Sequence, residues 1–352
     1  MRLAAISYDG RHCYRISGRV RAAVGRSKTV FSRLILAGLA LLAGCVAAAA
    51  QDKYPSRPVE IIIPYAPGGG SDVMVRNMVK VIEQHKIVPV PLAVVNKAGG
   101  GGAIARTQFS QARPDGYTLG VMDPNPVIQQ LLGEAPQNYR TDFTYIAKLV
   151  DDVNFLIVRS ESPIKTVGDA IAEIKKRGAK RFSIAGTATG SQDHVASLDF
   201  DAAIGEQTNY LITKSGGEVL TTLLGGHVDA AWANPSECIE QYKAGQVRIL
   251  AVGDTKRLPS FPNVPTLKEV GVDMVSYNWR GLGGPPGLPK PIVDYWVDVL
   301  GKMRATPDWK QGYLTRVYQE DGWLVGDQLM AYIHKEYDQF KGVFEKLGML
   351  KK

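Results

Sequence analysis

The stretch VEIIIPYAPGGGSDVMVRNMVKVIEQ, residues 59–84, decides the fold class of this 352-residue chain. Its first residues, 59–64, form a short apolar run that is typical of a buried strand. The glycine-rich residues 67–72 (PGGGSD) follow, and apolar side chains then recur at helical spacing over residues 72–84. The stretch therefore predicts a strand, a tight turn and a helix, the repeating unit of α/β proteins.

The same alternation continues along the chain, with a second strand at 92–95, a second glycine turn at 99–102 and a helix at 103–112. Further strands are predicted at 117–122, 155–158, 182–185, 210–213, 230–233 and 249–252. Further helices are predicted at 166–177, 191–204, 218–224 and 235–244, and after Pro289 the pattern predicts helix to the end of the chain. The fold class is α/β, and the length is typical of two domains.

Basic residues are concentrated at the N-terminus. The chain has 42 Lys and Arg against 34 Asp and Glu, and eight of these basic residues lie within residues 1–50 beside a single acid, Asp9. The rest of the chain is nearly neutral, which is not typical of a protein that binds phosphate backbones. We therefore expect no nucleic-acid partner.

Residues 1–50 have the pattern of an export signal, because a basic region precedes the apolar run 34–42 and small residues follow it. Two cleavage positions compete. Cleavage at 50/51 would use the A-x-A pattern of residues 48–50, and cleavage at 44/45 would use a lipobox-like pattern whose Cys45 would be acylated. A retained membrane anchor is a third alternative, although the available apolar segment is short for a spanning helix.

The remaining sequence offers little catalytic chemistry. Cys238 is the only cysteine after residue 50, so no intramolecular disulfide can form there. The histidines His85, His194, His227 and His334 are isolated from one another and from any metal-ligand motif. We therefore predict no catalytic set, no metal and no cofactor, and a protein that holds its ligand without transforming it.

Three turns at predicted helix starts are candidates for holding a small anion, because glycine admits close approach and the first N–H groups of a helix lack intrahelical partners. The candidate residues are Gly68, Gly69, Gly70, Ser71 and Asp72 in the first turn, Thr187, Thr189 and Ser191 in the second, and Lys214, Ser215 and Gly216 in the third. Capping of the local helix is the alternative for the hydroxyl and carboxylate residues, and Lys214 could equally be a solvated charge.

The second glycine turn suggests an enzyme as an alternative. Gly100, Gly102 and Ala105 satisfy G-x-G-x-x-G/A, and Asp123 follows about 20 residues later, as in a dinucleotide-binding unit. An export signal argues against a cytoplasmic nucleotide as ligand, and a lone fingerprint has a high false-positive rate.

Taken in order, these motifs resemble the substrate-binding receptors of tripartite tricarboxylate transporters, the Bug family of periplasmic receptors. The resemblance covers nearly all of the chain after residue 50. It rests on segments 54–58 (YPSRP), 64–72 (PYAPGGGSD), 96–99 (NKAG), 114–119 (PDGYTL), 142–143 (DF), 190–194 (GSQDH), 223–229 (LLGGHVD) and 262–266 (PNVPT). The chain departs from the family pattern at Ala103 and Ala105 of the second glycine loop, and at Ala233, where an Asp usually precedes the Asn.

The resemblance implies a periplasmic-binding-protein-like clamshell of two α/β domains with a ligand cleft between them. One domain would comprise residues 51–152 plus 278–352, and the other residues 153–277. A small tri- or dicarboxylate would be held by the three turns together with Asn234 and Arg280, with Lys214 and Arg280 as its cations.

The resemblance also implies a partner. A monomeric receptor in the periplasm, soluble or lipid-anchored through Cys45, would deliver the carboxylate to a membrane permease of the tripartite tricarboxylate type. A receptor that presents the ligand to a sensor kinase is the alternative, because the same pocket would serve both functions.

Overall fold

The computed structural model describes residues 54–351, which contain two β-sheets flanked by helices. The predicted signal peptide, both of its cleavage positions and the lipidation of Cys45 lie outside the described residues. Within the described residues, no helix combines the length and apolarity needed to cross a membrane.

The first sheet has six strands in the order β11-β4-β10-β3-β1-β2. These strands are β1 (Val59–Ile63), β2 (Leu92–Asn96), β3 (Thr118–Met122), β4 (Thr144–Val153), β10 (Tyr277–Gly284) and β11 (Glu320–Val325). β1 pairs in parallel with β2 and β3, whereas β10 and β11 run antiparallel to their neighbours. The accompanying helices are α1 (Gly70–Gln84), α2 (Ala103–Ser110), α3 (Asn125–Leu132), α8 (Lys290–Ala305) and α9 (Gly326–Lys346).

The second sheet has five strands in the order β7-β6-β8-β5-β9. They are β5 (Phe155–Arg159), β6 (Ser183–Thr187), β7 (Asn209–Thr213), β8 (Ala230–Ala233) and β9 (Val247–Val252). β6 is parallel to β7 and β8, and β5 is antiparallel to β8 and β9. Its helices are α4 (Val167–Arg177), α5 (Gln192–Ile204), α6 (Gly216–Leu224) and α7 (Pro235–Lys243).

Apolar side chains are buried on both faces of each sheet. Along β1, Ile61 and Ile63 pack with Met74 and Trp296 in one cluster, whereas Ile62 packs in another cluster on the opposite face. A strand buried on both faces has a continuous apolar sequence instead of an alternating one. The apolar run that predicts β1 is therefore explained by helices covering both sides of the sheet, and the two mixed sheets confirm the α/β class.

The chain passes between the sheets at two adjacent places. Asn154 alone separates β4 from β5, and residues 253–276 connect β9 to β10. The Gly253 N–H donates to the Asn154 carbonyl at 2.7 Å, and the Ser276 N–H donates to the Gly253 carbonyl at 2.7 Å. A Cβ at Gly253 would collide with the Ser276 carbonyl oxygen, so glycine is needed for this close pairing of the two crossings.

Three strands of the first sheet, β4, β10 and β11, are absent from the sequence prediction. β4 carries charged residues where apolar ones are expected in a buried strand. Lys148 and Asp152 are nevertheless buried, because Lys148 pairs with Asp151 and Asp152 pairs with Arg280. β10 reads YNWRGLGG, which resembles a loop. A Cβ at Gly281 would collide with the Ala147 carbonyl oxygen of β4, so this glycine allows close strand contact and does not mark a turn.

The prediction of continuous helix after Pro289 is wrong at one place. β11 interrupts the helices and pairs antiparallel with β4, placing Glu320 opposite Asp151 and Val325 opposite Ala147. Gly322 lies within this strand, where a Cβ would come 2.7 Å from the Asp151 nitrogen. The short apolar run within β11 has no sequence pattern that distinguishes a strand from the helices on either side. Pairing with β4 determines its extended conformation.

Glu336 of α9 is buried beneath the first sheet and gives a test of the packing. The Trp279 Nε1–H of β10 donates to both carboxyl oxygens of Glu336 at 3.0 Å. Burial raises the pKa of Glu336 to about 8, against the opposing effects of Trp279 and Lys148 and with smaller contributions from Asp123 and Asp151. The folded protein therefore keeps a proton that the unfolded chain loses near pH 4 to 5.

We expect the free energy of unfolding to fall as the pH rises from about 5 to 8, by at most about 1.4 kcal/mol per pH unit from this group. Glu336→Gln should remove this contribution, so the variant should gain stability relative to the wild type across that range and not below it. Urea denaturation at several pH values measures the difference. Parallel curves for the two proteins would contradict a neutral Glu336.

Candidate functional site

Loops and helix starts from both sheets surround a narrow cavity of about 30 Å³, which we call the cleft. A cavity of this size admits about two water molecules, so an organic ligand would enter only after the surrounding loops move apart. Four helices, α1, α5, α6 and α7, begin at the cleft or within one residue of it. It is lined by Tyr65, Gly69, Gly70, Ser71, Asn125, Thr187, Ser191, Gln192, Asp193, Ser215, Gly216, Asn234, Glu237, Asn278 and Arg280.

Arg280 of β10 lies in the middle of this arrangement and is 4% exposed. Its guanidinium donates to Asp152 Oδ2 from Nε at 2.8 Å, to Ser71 Oγ from Nη1 at 2.9 Å and to Asn234 Oδ1 from Nη2 at 2.9 Å. A Cβ at Gly70 would lie 2.7 Å from its Cζ, so glycine at the start of α1 makes room for the guanidinium. Arg280 thereby joins the start of α1 to the start of α7.

The side chain of Glu237 in α7 also crosses the cleft. Its Oε1 accepts a hydrogen bond from the Gly70 N–H at 2.9 Å, and its Oε2 accepts one from the Asn234 N–H at 3.1 Å. A side chain at Gly216 would collide with this carboxylate, which therefore also lies against the start of α6. One carboxylate thus contacts the N-terminal ends of three helices, where a negative charge is stabilised.

Asp193 holds the turn that precedes α5. Its Oδ2 accepts hydrogen bonds from the Thr187 N–H at 3.0 Å and the Thr187 hydroxyl at 2.7 Å. Burial raises the pKa of Asp193, and these two hydrogen bonds oppose the rise. The turn is therefore organised by an internal carboxylate before any ligand is considered.

Acidic side chains outnumber basic ones among the residues that line the cleft. Within the described residues, Arg280 is the only Lys or Arg that lines it, and its nearest counter-ion is Asp152, with Nη2 and Oδ2 2.6 Å apart. Burial raises the pKa of Glu237 and of Asp152, and Arg280 opposes both rises. A bound anion would therefore rely on helix N–H groups and hydroxyls as well as on this one guanidinium.

Comparison with known proteins decides the family. The profile of the family described as "Tripartite tricarboxylate transporter family receptor", TctC, matches residues 75–349. The chain belongs to this family. The receptor is 31% identical to protein BugT of Bordetella pertussis over 315 residues, which cover 87% of this chain and 94% of BugT. The resemblance to the Bug family is thereby confirmed.

Solved structures show the same fold. The periplasmic binding protein BugD is 28% identical to the receptor, with a TM-score of 0.79 over 85% of this chain and 100% of BugD. A Rhodopseudomonas palustris protein with adipate is 24% identical, with a TM-score of 0.77 over 84% of this chain and 99% of that protein. These likenesses confirm the two-domain architecture, and family membership confirms the prediction of a binding protein and not an enzyme.

The receptor brings most of the predicted site residues together. Those that line the cleft are Gly69, Gly70, Ser71, Thr187, Ser191, Ser215, Gly216, Asn234 and Arg280. Thr189 and Lys214 instead line an adjoining space, the side cavity, between the glycine stretch 99–102 and residues 187–189 and 212–214. Lys214 is exposed, so the structure does not pair it with Arg280 as a second cation of the cleft.

Gly68 and Asp72 have local structural contacts. Asp72 Oδ2 accepts a hydrogen bond from the Gly68 N–H at 3.1 Å, and Oδ1 accepts from Arg76 Nε and Asn96 Nδ2, each at 2.9 Å. Burial alone would raise the pKa of Asp72, but these hydrogen bonds lower it overall. Asp72 therefore stabilises the first turn through these hydrogen bonds and does not line the cleft.

The capping alternative holds for two hydroxyl residues. Ser191 Oγ accepts from the His194 N–H at 3.3 Å at the start of α5, and Ser215 Oγ accepts from the Glu218 N–H at 3.3 Å at the start of α6. Both residues also line the cleft, so capping and an open binding surface coexist. Ser71 lies inside α1 and accepts from Arg280 instead of capping.

Six residues that line the cleft were not predicted: Tyr65, Asn125, Gln192, Asp193, Glu237 and Asn278. The Asn125 Oδ1 accepts from the Gln192 N–H at 3.2 Å, which is a second bridge between helices of the two sheets. Asn234 and Glu237 are spaced three residues apart, a pattern typical of a helix-capping box. That signal identifies the start of α7 but not the reach of Glu237 to α1.

The structure gives no support to a nucleotide site at the second glycine turn. Asp123, the acidic residue of the fingerprint, is 2% exposed and accepts hydrogen bonds from the Tyr65 hydroxyl and from the Asn125 N–H. The Arg106 guanidinium donates to the Gly101 carbonyl and to Gln129 Oε1, the latter at 2.8 Å. The acidic residue of the fingerprint is therefore engaged in internal packing, whereas Gly100 and Gly102 line the side cavity.

The environments of Cys238 and His194 are formed by the packing of the protein. Burial raises the pKa of the Cys238 thiol, which is fully buried in the core of the second sheet. Burial lowers the pKa of His194, whose Nδ1 faces the Gly190 N–H at 3.2 Å. In the part of the chain that the structure describes, no group of three or more potential metal ligands is present.

Proposed function

We propose that the receptor captures a small organic carboxylate in the cleft and delivers it, in the periplasm, to a membrane permease of the tripartite tricarboxylate type. The convergence of helix N-termini on one buried guanidinium carries this proposal. The starts of α1, α6 and α7 meet around Arg280, and helix N–H groups together with an arginine are the groups that recognise a carboxylate.

The charges support a dicarboxylate more than a tricarboxylate. Arg280 already contacts Asp152, and Asp193 and Glu237 add two carboxyl groups to the cleft wall. Lys214 is exposed outside the cleft. Three negative charges would therefore be buried against a single shared cation, which is costly without further pairing.

We also propose that the domain division follows the two chain crossings, with residues 51–152 plus 278–352 closing against residues 153–277. The bonds from Gly70 to Glu237 and from Arg280 to Asn234 join elements of the two sheets across the cleft. These contacts belong to a closed cleft, so they would separate to admit the ligand and form again on closure, and the permease would recognise the closed receptor.

A thermal-shift screen of the purified protein tests the proposed function. Succinate and adipate are the acids, succinamide is the uncharged control of matched shape, and NAD represents the enzyme alternative. A carboxylate at about 100 times its dissociation constant should add about 2.7 kcal/mol of stability, a shift of a few degrees for a chain of this size. No shift with any acid, or a shift with NAD alone, would contradict the proposal.

A further inference from the structure

A second cavity, of about 660 Å³, shares Gln192 with the cleft, and we call it the α5–α9 groove. Its walls come from α5, from α9 and from the connection 253–276 between β9 and β10. A cavity of this size suits a small organic molecule. Because α5 flanks the second sheet and α9 the first, an occupant would contact helices of both sheets.

The groove is long and follows the two helices. Residues 192–203 of α5 and 336–346 of α9 contribute to its walls, and each stretch spans about 15 Å at a helical rise of about 1.5 Å per residue. Ala202 and Leu347 also line one further cavity together, so the C-terminal ends of the two stretches lie side by side. The first residues of the two stretches therefore lie toward the opposite end, which we call the inner end.

The inner end offers hydrogen-bond acceptors from two buried side chains. Gln192 is 5% exposed, and its Nε2 donates to Ser276 Oγ at 3.4 Å, whereas its Oε1 has no hydrogen-bond partner within the described residues. Glu336 accepts from the Trp279 Nε1–H, and a carboxyl group can accept from further donors. A buried acceptor without a donor is costly, so this end suits a ligand that donates several hydrogen bonds.

The cations around the groove are already paired or lie away from the inner end. The charged side chains that face the groove or Glu336 are Asp123, Lys148, Asp151, Asp199, Lys268, Asp273 and Lys346. Lys148 Nζ lies 2.6 Å from Asp151 Oδ1, and Lys268 Nζ lies 3.3 Å from Asp273 Oδ1. Lys346 is exposed at the far end of the groove. The inner end therefore has room for an added positive charge.

Apolar side chains continue from the inner end along the groove. Phe340 lies one helical turn beyond Glu336, at i+4, and Val343 follows it along α9. Met274 of the connection lines the same cavity and is buried. An aromatic side chain next to an ammonium group adds a cation–π attraction, and aliphatic side chains stabilise an alkyl chain by removing it from water.

We propose that the α5–α9 groove is a second binding site, which takes a primary alkylammonium ion. The three N–H donors of the ammonium group would meet Glu336 and Gln192 Oε1 at the inner end, and the alkyl chain would lie along Phe340 and Val343. The described residues hold no group of three or more potential metal ligands, and the apolar walls favour an organic cation. The site is separate from the proposed carboxylate site, so either can fail without the other.

Titration calorimetry of the receptor with butyl-, hexyl- and octylammonium chloride tests this inference, with hexan-1-ol as the uncharged control. Each added pair of methylene groups should strengthen binding about fivefold, because more of the chain is removed from water. Hexan-1-ol should bind at least about tenfold more weakly than hexylammonium, because it lacks the charge and two of the three donors.

Three variants locate the site. Glu336→Gln, which is expected to be at least as stable as the wild type at neutral pH, should weaken hexylammonium binding about tenfold. Glu345→Gln is the matched control on the same helix, since exposed Glu345 pairs with Lys341 at 3.7 Å and does not line the groove. Neither Glu345→Gln nor Glu237→Gln, which alters the cleft, should change hexylammonium binding by more than about twofold.

Proton release distinguishes a charged inner end from a merely apolar site. Burial raises the pKa of Glu336 to about 8, and a cation beside this carboxyl would lower that pKa because it favours the ionised form. Hexylammonium should therefore bind with release of up to one proton near neutral pH, and its affinity should rise as the pH rises from about 6 to 8. Calorimetry in buffers of different ionisation enthalpy measures the proton.

The same titrations can overturn the inference. It is wrong if no alkylammonium binds, if hexan-1-ol binds as tightly as hexylammonium, or if Glu336→Gln leaves both the affinity and the proton release unchanged. Loss of hexylammonium binding in Glu237→Gln would place the amine in the cleft and would also contradict the inference.

Discussion

Replacing Arg280 by methionine is expected to lower the free energy of unfolding by about 3–5 kcal/mol and to abolish carboxylate binding. Arg280 is 4% exposed and Asp152 is fully buried, with 2.6 Å between their charged atoms. The variant leaves the Asp152 carboxylate buried without its counter-ion, and Ser71 and Asn234 lose their donor. Urea denaturation measures the stability, and calorimetry measures the binding.

Arg304 is the matched control for this experiment. Its Nε donates to Asp321 Oδ1 at 2.7 Å, but both partners are about one-third exposed. Arg304→Met should therefore cost at most about 1 kcal/mol. In the Arg280→Met background, Asp152→Asn should restore part of the stability, because it removes the unpaired charge. Equal, small losses in both arginine variants would contradict a buried ion pair at the cleft.

Glu237→Gln is expected to tighten carboxylate binding roughly tenfold at neutral pH, because it removes a negative charge from the start of α1 while an amide oxygen can still accept from Gly70. Burial raises the pKa of Glu237, Arg280 opposes the rise and Asp193 adds to it. An anion bound beside Glu237 would raise the pKa of this carboxyl further. Ligand binding would therefore be accompanied by uptake of a proton at Glu237.

The affinity of the wild type should consequently fall as the pH rises through the pKa of Glu237, by up to about tenfold per pH unit. Calorimetric titrations with adipate from about pH 5.5 to 8 should show this fall, and Glu237→Gln should reduce it. Glu218→Gln is the matched control, since exposed Glu218 accepts from the Lys214 N–H outside the cleft. An unchanged slope in Glu237→Gln would show that another group takes up the proton.

The first β-strand, its glycine turn and α1 could be predicted because local periodicity and turn chemistry agree there. β10 could not be predicted, because its residues Gly281 and Gly283 are required by close contact with β4 and not by a local backbone preference. Packing between strands distant in sequence leaves no periodic signal in the strand itself.

The site was predictable to a similar extent. The turns at the starts of α1, α5 and α6 follow from glycine and hydroxyl residues at strand-to-helix junctions. The spacing of Asn234 and Glu237 predicts only a local cap, because the contact between Glu237 and Gly70 depends on how the two sheets face each other. The exposure of Lys214 depends on the same arrangement.

A crystal structure of the receptor with adipate tests the central claim most directly. We expect one carboxylate of adipate beside Arg280 at the starts of α1 and α6. Adipate bound elsewhere on the protein, with the contacts of Gly70 and Asn234 to Glu237 and Arg280 unchanged, would contradict a carboxylate site in the cleft.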